Sequence, residues 1–330
     1  LPGMSVMNQP RHLAASVRQR LLNLAQAQRE DFNLVLTRYG IERLLYRLER
    51  SAAGERFILK GAILFVLWSD TPHRATKDVD LLCRGDNSIA EIEAVFRAVC
   101  QVDVVPDGLE FDLTTVKGEL IKAEREYPGV RIRLTAFIAG TPTRINLQID
   151  VGFGDIVTPA PQLMSLPALL ADLPAPQLYA YNRETVIAEK FEAMVLLGIG
   201  NTRMKDFYDL WYLSQHFTFE GSLLGRAIAA TFERRRTPIP TDTPLALTSE
   251  FTEDETKQRQ WLAFVRKGKL NEEGLVLSQI GAILQDFLMP PTMAIRPRRR
   301  YANGEGVEFV GVASLQENLV WSSDRGWHSQ

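Results

Sequence analysis

The sequence is poor in the residues that build disulfides and histidine-rich metal sites. Its 330 residues include only two cysteines, Cys83 and Cys100, and four histidines. Two cysteines cannot supply a disulfide framework or the usual spacing of a zinc site. The chain must therefore fold around an apolar core, which a protein of this length can form without cross-links. Unpaired cysteines are typical of a reducing cytosol, and we predict a cytoplasmic protein.

Strong net charge and long apolar runs are also missing. The formal net charge is −2 at pH 7, so any contact with nucleic acid has to come from local patches. The longest uninterrupted apolar run, residues 61–68, is far shorter than the roughly 20 residues that a membrane-spanning helix needs. We therefore expect no contact with a membrane.

Hydrophobic periodicity divides the chain into an α/β part, a helical part and a tail. Period-two and short apolar stretches predict a mostly antiparallel sheet with strands at residues 55–60, 77–83, 111–116, 130–139 and 144–152. Helical spacing predicts two helices within residues 11–48, and others at 62–68, 89–100, 185–197, 203–215, 223–234, 253–265 and 274–288. Residues 159–176 are Pro-rich and are predicted to connect two domains. We expect an α+β domain over residues 4–160, a helical domain over 177–290 and an extended tail over 291–330.

Two aspartates on a predicted strand suggest a site for divalent cations. Asp78 and Asp80 are separated by Val79, and side chains two residues apart on a strand point to the same face, about 6 to 7 Å apart. Paired carboxylates suit a pair of divalent cations, Mg²⁺ or Mn²⁺, which take hard oxygen ligands and share phosphate oxygens with a substrate. Two such ions can activate an attacking hydroxyl and stabilise a leaving pyrophosphate. Taken alone, an Asp-x-Asp pair fits a solvated strand end better than a metal site, so its surroundings decide.

Those surroundings supply a third carboxylate. Asp150 ends a strand on which Asn146 and Gln148 share its face, so it points away from the apolar side of the sheet. It would complete a metal-binding triad with Asp78 and Asp80. Asp155 is a rival for this position but falls in a predicted turn.

Candidate phosphate ligands lie upstream of the aspartates. Gly61 and Ala62 separate a predicted strand from a short helix, and the free N–H groups at such a point can bind phosphate. Arg74 precedes Asp78 by four residues and is a candidate to neutralise phosphate charge, as is Lys60 at the strand end. Each of these two basic residues also fits a solvated side chain.

The motifs together resemble the AbiEii/AbiGii toxin family of nucleotidyltransferases, in the DNA polymerase β-like superfamily. The resemblance rests on residues 60–62, 74–82, 149–155, 188–194 and 201–210. It spans residues 57–213, about half of the chain. The family usually has Gly-Ser or Gly-Gly-Thr where this chain has Gly61-Ala62, so a hydroxyl that would contact the triphosphate is missing. Thr76 is a candidate to replace it.

The resemblance implies roles for residues in two helical motifs. Lys190 matches a triphosphate ligand, a task that suits a compact ammonium group. Asp206 would orient Lys190 or the incoming base, while Arg203 would contact phosphate and Asp209 would belong to the nucleotide-binding set. Arg203 and Asp206 otherwise fit an ordinary surface ion pair.

The resemblance also implies a fold and a reaction. We expect a polymerase β-like sheet with flanking helices, followed by a helical domain, with the active site between them. A nucleoside monophosphate would pass from an NTP to an acceptor, with the metal held by Asp78, Asp80 and Asp150. Asp150, or Asp80, would help to deprotonate the acceptor hydroxyl. The family points to the toxin of a toxin–antitoxin pair in phage defence, with a cognate antitoxin as partner. The expected acceptor is the tRNA 3′ end, and the alternative is a protein hydroxyl.

Two hypotheses from other classes remain open. A regulatory module that binds a nucleotide without turnover is favoured only by the missing Gly-Ser hydroxyl. A nuclease using the same metals is disfavoured because the histidines lie in unrelated contexts: His12, His73, His216 and His328. Three basic segments are candidate RNA contacts or solvated charge runs: residues 234–236, residues 298–300, and the strand face of Arg131 and Arg133.

Overall fold

The computed structural model describes residues 9–69, 77–121, 129–268, 270, 276–295, 298–301, 307–310 and 319–329. These residues divide into two compact units. The first is drawn from residues 1–154 and 162–180, and the second from residues 155–161 and 181–330. Within the described ranges, every helix is too short or too polar to traverse a lipid bilayer.

The first unit is a mixed sheet with helices, which confirms the predicted α+β class. Its helices are α1 (Gln9–Gln28), α2 (Phe32–Arg50), α3 (Leu64–Trp68) and α4 (Ile89–Cys100). Its strands are β1 (Phe57–Lys60), β2 (Asp78–Cys83), β3 (Leu109–Ile121), β4 (Gly129–Ile138), β5 (Arg144–Phe153), β6 (Gln162–Ser165) and β7 (Gln177–Ala180). The seven strands lie in the order β3-β4-β5-β2-β1-β7-β6. The pairs β2–β5 and β1–β7 are parallel and the other pairs are antiparallel.

The segment that we expected to be an interdomain connector instead completes this sheet. Strand β6 pairs with β7, and β7 joins β1 in parallel. Helix α2 holds the chain between these strands through two buried side chains. The Leu169 N–H donates to Glu42 Oε2 at 2.6 Å, and Arg43 Nη2 donates to the Pro174 carbonyl at 2.7 Å. Four-residue strands that are each preceded by a proline carry too little periodicity to be recognised in the sequence.

One face of the sheet is apolar and is covered by helix α2. Along β5 the odd-numbered residues, from Ile145 to Phe153, are buried, while the residues between them are at least partly exposed. Gly40 of α2 lies so close to Ile145 and Leu147 that an added Cβ would be 3.0 Å from each side chain. Glycine therefore lets α2 pack tightly on this face, and the opposite face is left to polar side chains.

The second unit is largely helical. Its helices are α5 (Arg183–Leu197), α6 (Met204–His216), α7 (Gly221–Arg234), α8 (Ser249–Thr252), α9 (Glu255–Gly268) and α10 (Leu277–Ala294). The five predicted helices correspond to α5, α6, α7, α9 and α10, and α10 continues through Pro290 and Pro291 beyond its predicted end. The strands are β8 (Phe219–Glu220), β9 (Arg298–Tyr301), β10 (Val307–Val310), β11 (Leu319–Ser322) and β12 (Gly326–Ser329).

The end of the expected extended tail is packed against the helices of the second unit. Strands β8, β11 and β12 form a three-stranded sheet. Trp321 is buried and its Nε1 donates to the Ser214 carbonyl at 2.8 Å, while Trp327 Nε1 donates to the Phe287 carbonyl at 3.0 Å. The Phe287 and Trp321 ring centroids are 4.9 Å apart. The β11–β12 hairpin is thus part of the core of the second unit.

Candidate functional site

The polar face of the sheet in the first unit brings the predicted carboxylates together. Asp80 of β2 lies opposite Asp150 of β5 on one side and opposite Lys60 of β1 on the other. Residues paired directly across strands project to the same face, and Asp78 shares that face because it is two residues from Asp80. Asp78 is exposed, whereas Asp80 and Asp150 are half-buried. Lys60 extends toward β5, because its Nζ is 3.5 Å from the position that a Cβ on Gly152 would occupy.

Gly61 is required by the position of the Asp80 carboxylate. It has a φ of +78°, which favours glycine, and an added Cβ would overlap Asp80 Oδ2. The Asp80 carboxylate therefore packs directly against the backbone of Gly61. The predicted helix beyond it is a 3-10 turn over Gly61–Ile63, which includes Ala62, followed by the five-residue α3. So short a helix adds little dipole for binding phosphate.

Arg131 holds the third carboxylate, which the sequence analysis did not foresee. Its Nε donates to Asp150 Oδ1 at 2.8 Å and its Nη2 donates to Asp150 Oδ2 at 2.7 Å. The hydrogen bond to Asp150 is the main cause that raises the pKa of the Arg131 guanidinium; burial opposes it, and the charges of Asp150, Glu119 and Asp78 add to it. Arg133, two residues along the strand, pairs with Glu119 at 2.7 Å. The expected basic face of Arg131 and Arg133 is therefore a row of ion pairs.

The donor groups on this face fit a divalent cation at Asp78 and Asp80. Both supply carboxylate oxygens on one side of one strand, the ligand type that Mg²⁺ and Mn²⁺ prefer. In the part of the chain that the structure describes, no three acidic, histidine or cysteine side chains are grouped closely enough to hold one metal ion. Asp150 lies on the same face, but each of its oxygens accepts a hydrogen bond from Arg131.

A second polar cluster lies within the second unit, between α5 and α6. Lys190 Nζ is 2.6 Å from Asp206 Oδ1 and 2.8 Å from Asp209 Oδ2. The side chains of Asp206 and Asp209 are 1% and 0% exposed, so this is not the surface ion pair that the sequence also allowed. Two buried carboxylates need a counter-charge, and Lys190 supplies it. The lysine therefore has a structural task in addition to any contact with a ligand.

Arg203 extends this cluster toward solvent. Its Nε is 2.6 Å from Asp206 Oδ2, and its side chain is 42% exposed. That oxygen has no hydrogen-bond partner among the described residues, so the contact is one of charge alone. Arg203 is the member of the cluster whose cation is most open to an incoming anion.

The loop that precedes α6 is anchored by a lysine that the sequence analysis passed over. Lys257 of α9 is buried, and its Nζ donates to the Asn201 carbonyl at 2.9 Å. Asn201 Oδ1 in turn accepts the Arg203 N–H at 2.8 Å. The position of Arg203 therefore depends on Lys257. A single lysine in a predicted amphipathic helix gives no sequence signal for such a role.

Arg235 was considered part of a basic surface, but its side chain is only 9% exposed and is surrounded by acids. Its Nη1 donates to Glu192 Oε2 at 2.8 Å, and its Nη2 lies 3.0 Å from Asp155 Oδ1 and 3.1 Å from Glu189 Oε1. Burial alone would lower the pKa of the guanidinium, but the charges of Glu189, Asp155 and Glu192 raise it well above its usual value. Asp155, the rival third carboxylate, is engaged in this cluster.

Two of the candidate phosphate ligands, Arg74 and Thr76, lie outside the described residues. The backbone of residues 298–300 forms part of β9, which pairs with β10.

Comparison with known proteins identifies the family. The model of a family described as "Nucleotidyl transferase AbiEii toxin, Type IV TA system" matches residues 43–284. No curated protein matches the chain. Among solved structures, the chain is similar to the nucleotidyltransferase toxin MenT4 of Mycobacterium tuberculosis H37Rv, with 17% identity, a TM-score of 0.46, and coverage of 82% of this chain and 93% of that one. It is also similar to JHP933 of Helicobacter pylori, with 14% identity, a TM-score of 0.42, and coverage of 73% and 84%. Because the family model spans well over half of its length, the chain belongs to the AbiEii nucleotidyltransferase toxins of type IV toxin–antitoxin systems.

Proposed function

We propose that the chain transfers a nucleoside monophosphate from an NTP to an acceptor hydroxyl, with Mg²⁺ or Mn²⁺ held by Asp78 and Asp80. The observation that carries this proposal is the placement of Asp80, which rests on the Gly61 backbone and lies in register with Asp150. A bound divalent ion supplies charge stabilisation for the acceptor oxygen and the departing pyrophosphate. Asp150, or Asp80, accepts the proton of the acceptor hydroxyl.

The cluster in the second unit supplies the proposed triphosphate ligands. Asp206 and Asp209 fix the Lys190 ammonium in place, so little side-chain entropy is lost when it binds phosphate. Arg203 adds an exposed guanidinium, which recognises phosphate oxygens in a bidentate manner. The proposed nucleotide-binding set is completed by six further residues: Lys60, Gly61, Ala62, Arg74, Thr76 and Asp209.

The acceptor proposed here is the 3′ end of tRNA, and the cellular role is that of a cytoplasmic toxin in phage defence, paired with a cognate antitoxin. The support is the family resemblance of the motifs. Blocking the tRNA 3′ end would prevent aminoacylation and stop translation.

The test is to incubate the purified protein with total tRNA, Mg²⁺ and each labelled NTP in turn, beside Asp78→Ala. We expect label on tRNA with the wild type alone, for one preferred base. Label on a protein band instead would move the acceptor to a protein hydroxyl. Equilibrium binding of an NTP without release of pyrophosphate, for any acceptor, would favour a regulatory nucleotide-binding module. RNA cleavage without added NTP would point to a nuclease.

Gly61→Ala is expected to lower the transfer rate by about a hundredfold, the size of effect seen when a reacting group moves by about 1 Å. The added methyl group would displace the Asp80 carboxylate and strain a backbone with positive φ. Initial rates of pyrophosphate release would measure the effect. Gly200→Ala is the matched control, because a Cβ there meets no atom within 4 Å. Equal rates for the two variants would show that Asp80 need not lie where the structure places it.

A further inference from the structure

The charges on the polar face of the first unit are nearly balanced before any metal binds. Among the described residues of this face, Asp78, Asp80 and Asp150 carry three negative charges and Lys60 and Arg131 carry two positive ones, while the charges of Arg133 and Glu119 cancel, which leaves a net charge of −1. Two divalent cations would bring four positive charges onto this face. One divalent cation matches the available charge much better.

The Asp150 carboxylate already has a cation beside it. It is fixed by two parallel hydrogen bonds from Arg131, the strongest common arrangement of a carboxylate and a guanidinium. The charge of Asp78 also acts on Arg131. The Arg131 and Asp150 side chains are only 29% and 20% exposed, so solvent screens their attraction less than that of a surface pair. A metal that bound Asp150 would have to compete with a cation that is covalently part of the protein.

We propose that this face binds a single divalent ion through Asp78 and Asp80, and that the Arg131 guanidinium occupies the place of a second ion at Asp150. The inference rests on the proposed function and specifies its metal requirement. Arg131 is then a positioning residue, which orients the Asp150 carboxylate and supplies permanent positive charge beside the bound ion.

The chain offers a matched control for Arg131. Arg133 lies two residues away on β4, points to the same face and pairs with Glu119 at 2.7 Å. Its side chain is 53% exposed, and its partner Glu119 belongs to β3 and is not one of the three aspartates. Arg133→Met therefore removes an arginine and leaves an acid on the same face without touching Asp150.

Mn²⁺ binding to the full chain, followed by calorimetry or by the paramagnetic resonance of free Mn²⁺, tests the proposal without any need for turnover. We expect one ion per wild-type chain. The loss of a residue that only orients a metal ligand typically lowers metal affinity about 10- to 100-fold. Asp78→Asn removes a proposed ligand itself, so it should weaken Mn²⁺ binding at least about tenfold. The double variant Arg131→Met/Asp150→Asn removes a cation and an anion together and should keep the single ion with little change in affinity.

Arg131→Met alone gives the discriminating result. It frees Asp150 and changes the net charge of the face from −1 to −2, so a second Mn²⁺ should bind, whereas Arg131→Lys and Arg133→Met should keep one. Two ions on the wild-type chain, or a loss of affinity in the double variant as large as in Asp78→Asn, would overturn the inference. Thermal unfolding of each variant would show that it is folded.

The failure of this inference can be told from failure of the proposed function. A wild-type chain that binds two ions and transfers nucleotide would refute only the single-ion arrangement. A folded wild-type chain that binds no Mn²⁺, and transfers nucleotide equally well in a metal chelator, would refute the metal-dependent mechanism and the inference with it.

Discussion

Asp80→Asn is expected to lower nucleotide transfer by at least about a thousandfold, because a loss of several kcal/mol of charge stabilisation corresponds to a factor of that size. The amide is a weak ligand for a hard cation. The central position of Asp80, between Lys60 and Asp150 in the strand register, makes it the carboxylate whose charge affects most of the site. Transfer would be measured as labelled NMP incorporated under conditions in which the wild type is linear.

The same substitution should change the free energy of unfolding by no more than about 1 kcal/mol, because the side chain is only half-buried. Asp86→Asn is the control. Asp86 is exposed just beyond β2, and its Oδ1 accepts the Ser88 N–H, which an asparagine oxygen can also do. If Asp80→Asn transfers nucleotide as fast as Asp86→Asn does, Asp80 is not a metal ligand.

Arg235→Met should have the largest effect on stability, about 3 to 5 kcal/mol of lost unfolding free energy. The substitution leaves Glu192, whose side chain is 1% exposed, together with Asp155 and Glu189 without their shared cation. Chemical denaturation followed by tryptophan fluorescence would measure the loss. Arg236→Met, at the exposed neighbouring position, should change stability by about 0.5 kcal/mol or less.

The strands that carry the carboxylates could be predicted because polar and apolar residues alternate over residues 78–81 of β2 and along the whole of β5. In β2 and β5, apolar residues fill the covered face of the sheet, so the residues between them must be on the other face. This logic is local and needs only the sequence of each strand. It predicted the face of Asp78, Asp80 and Asp150, but not what each carboxylate contacts.

The contacts of those carboxylates depend on pairing between strands. Arg131 meets Asp150 because β4 and β5 form a hairpin in which Phe137 faces Arg144, and six further steps along each strand bring Arg131 to Asp150. If the register of this hairpin had been known from the sequence, it would have revealed the pair. With the register unknown, the alternating arginines of β4 looked like a basic surface.

The burial of Asp206, Asp209 and Arg235 had no local signal at all. Their positions on α6 and beyond α7 look solvent-exposed by charge alone, and the partners of Arg235 lie more than 40 residues earlier in the sequence. Arg235, for example, contacts Asp155, 80 residues earlier. Such clusters are set by tertiary packing, which composition and periodicity do not encode.

The docking of Trp321 on Ser214 sets an order of events during synthesis. The two residues are 107 positions apart, so α6 emerges from the ribosome long before the hairpin that covers its end. Contacts between such distant residues form late in folding. A nascent toxin would thus carry Asp206 and Asp209 on a helix that lacks its final packing until residues 319–329 are released. The time needed for translation would therefore delay the appearance of the fully folded enzyme in the cell.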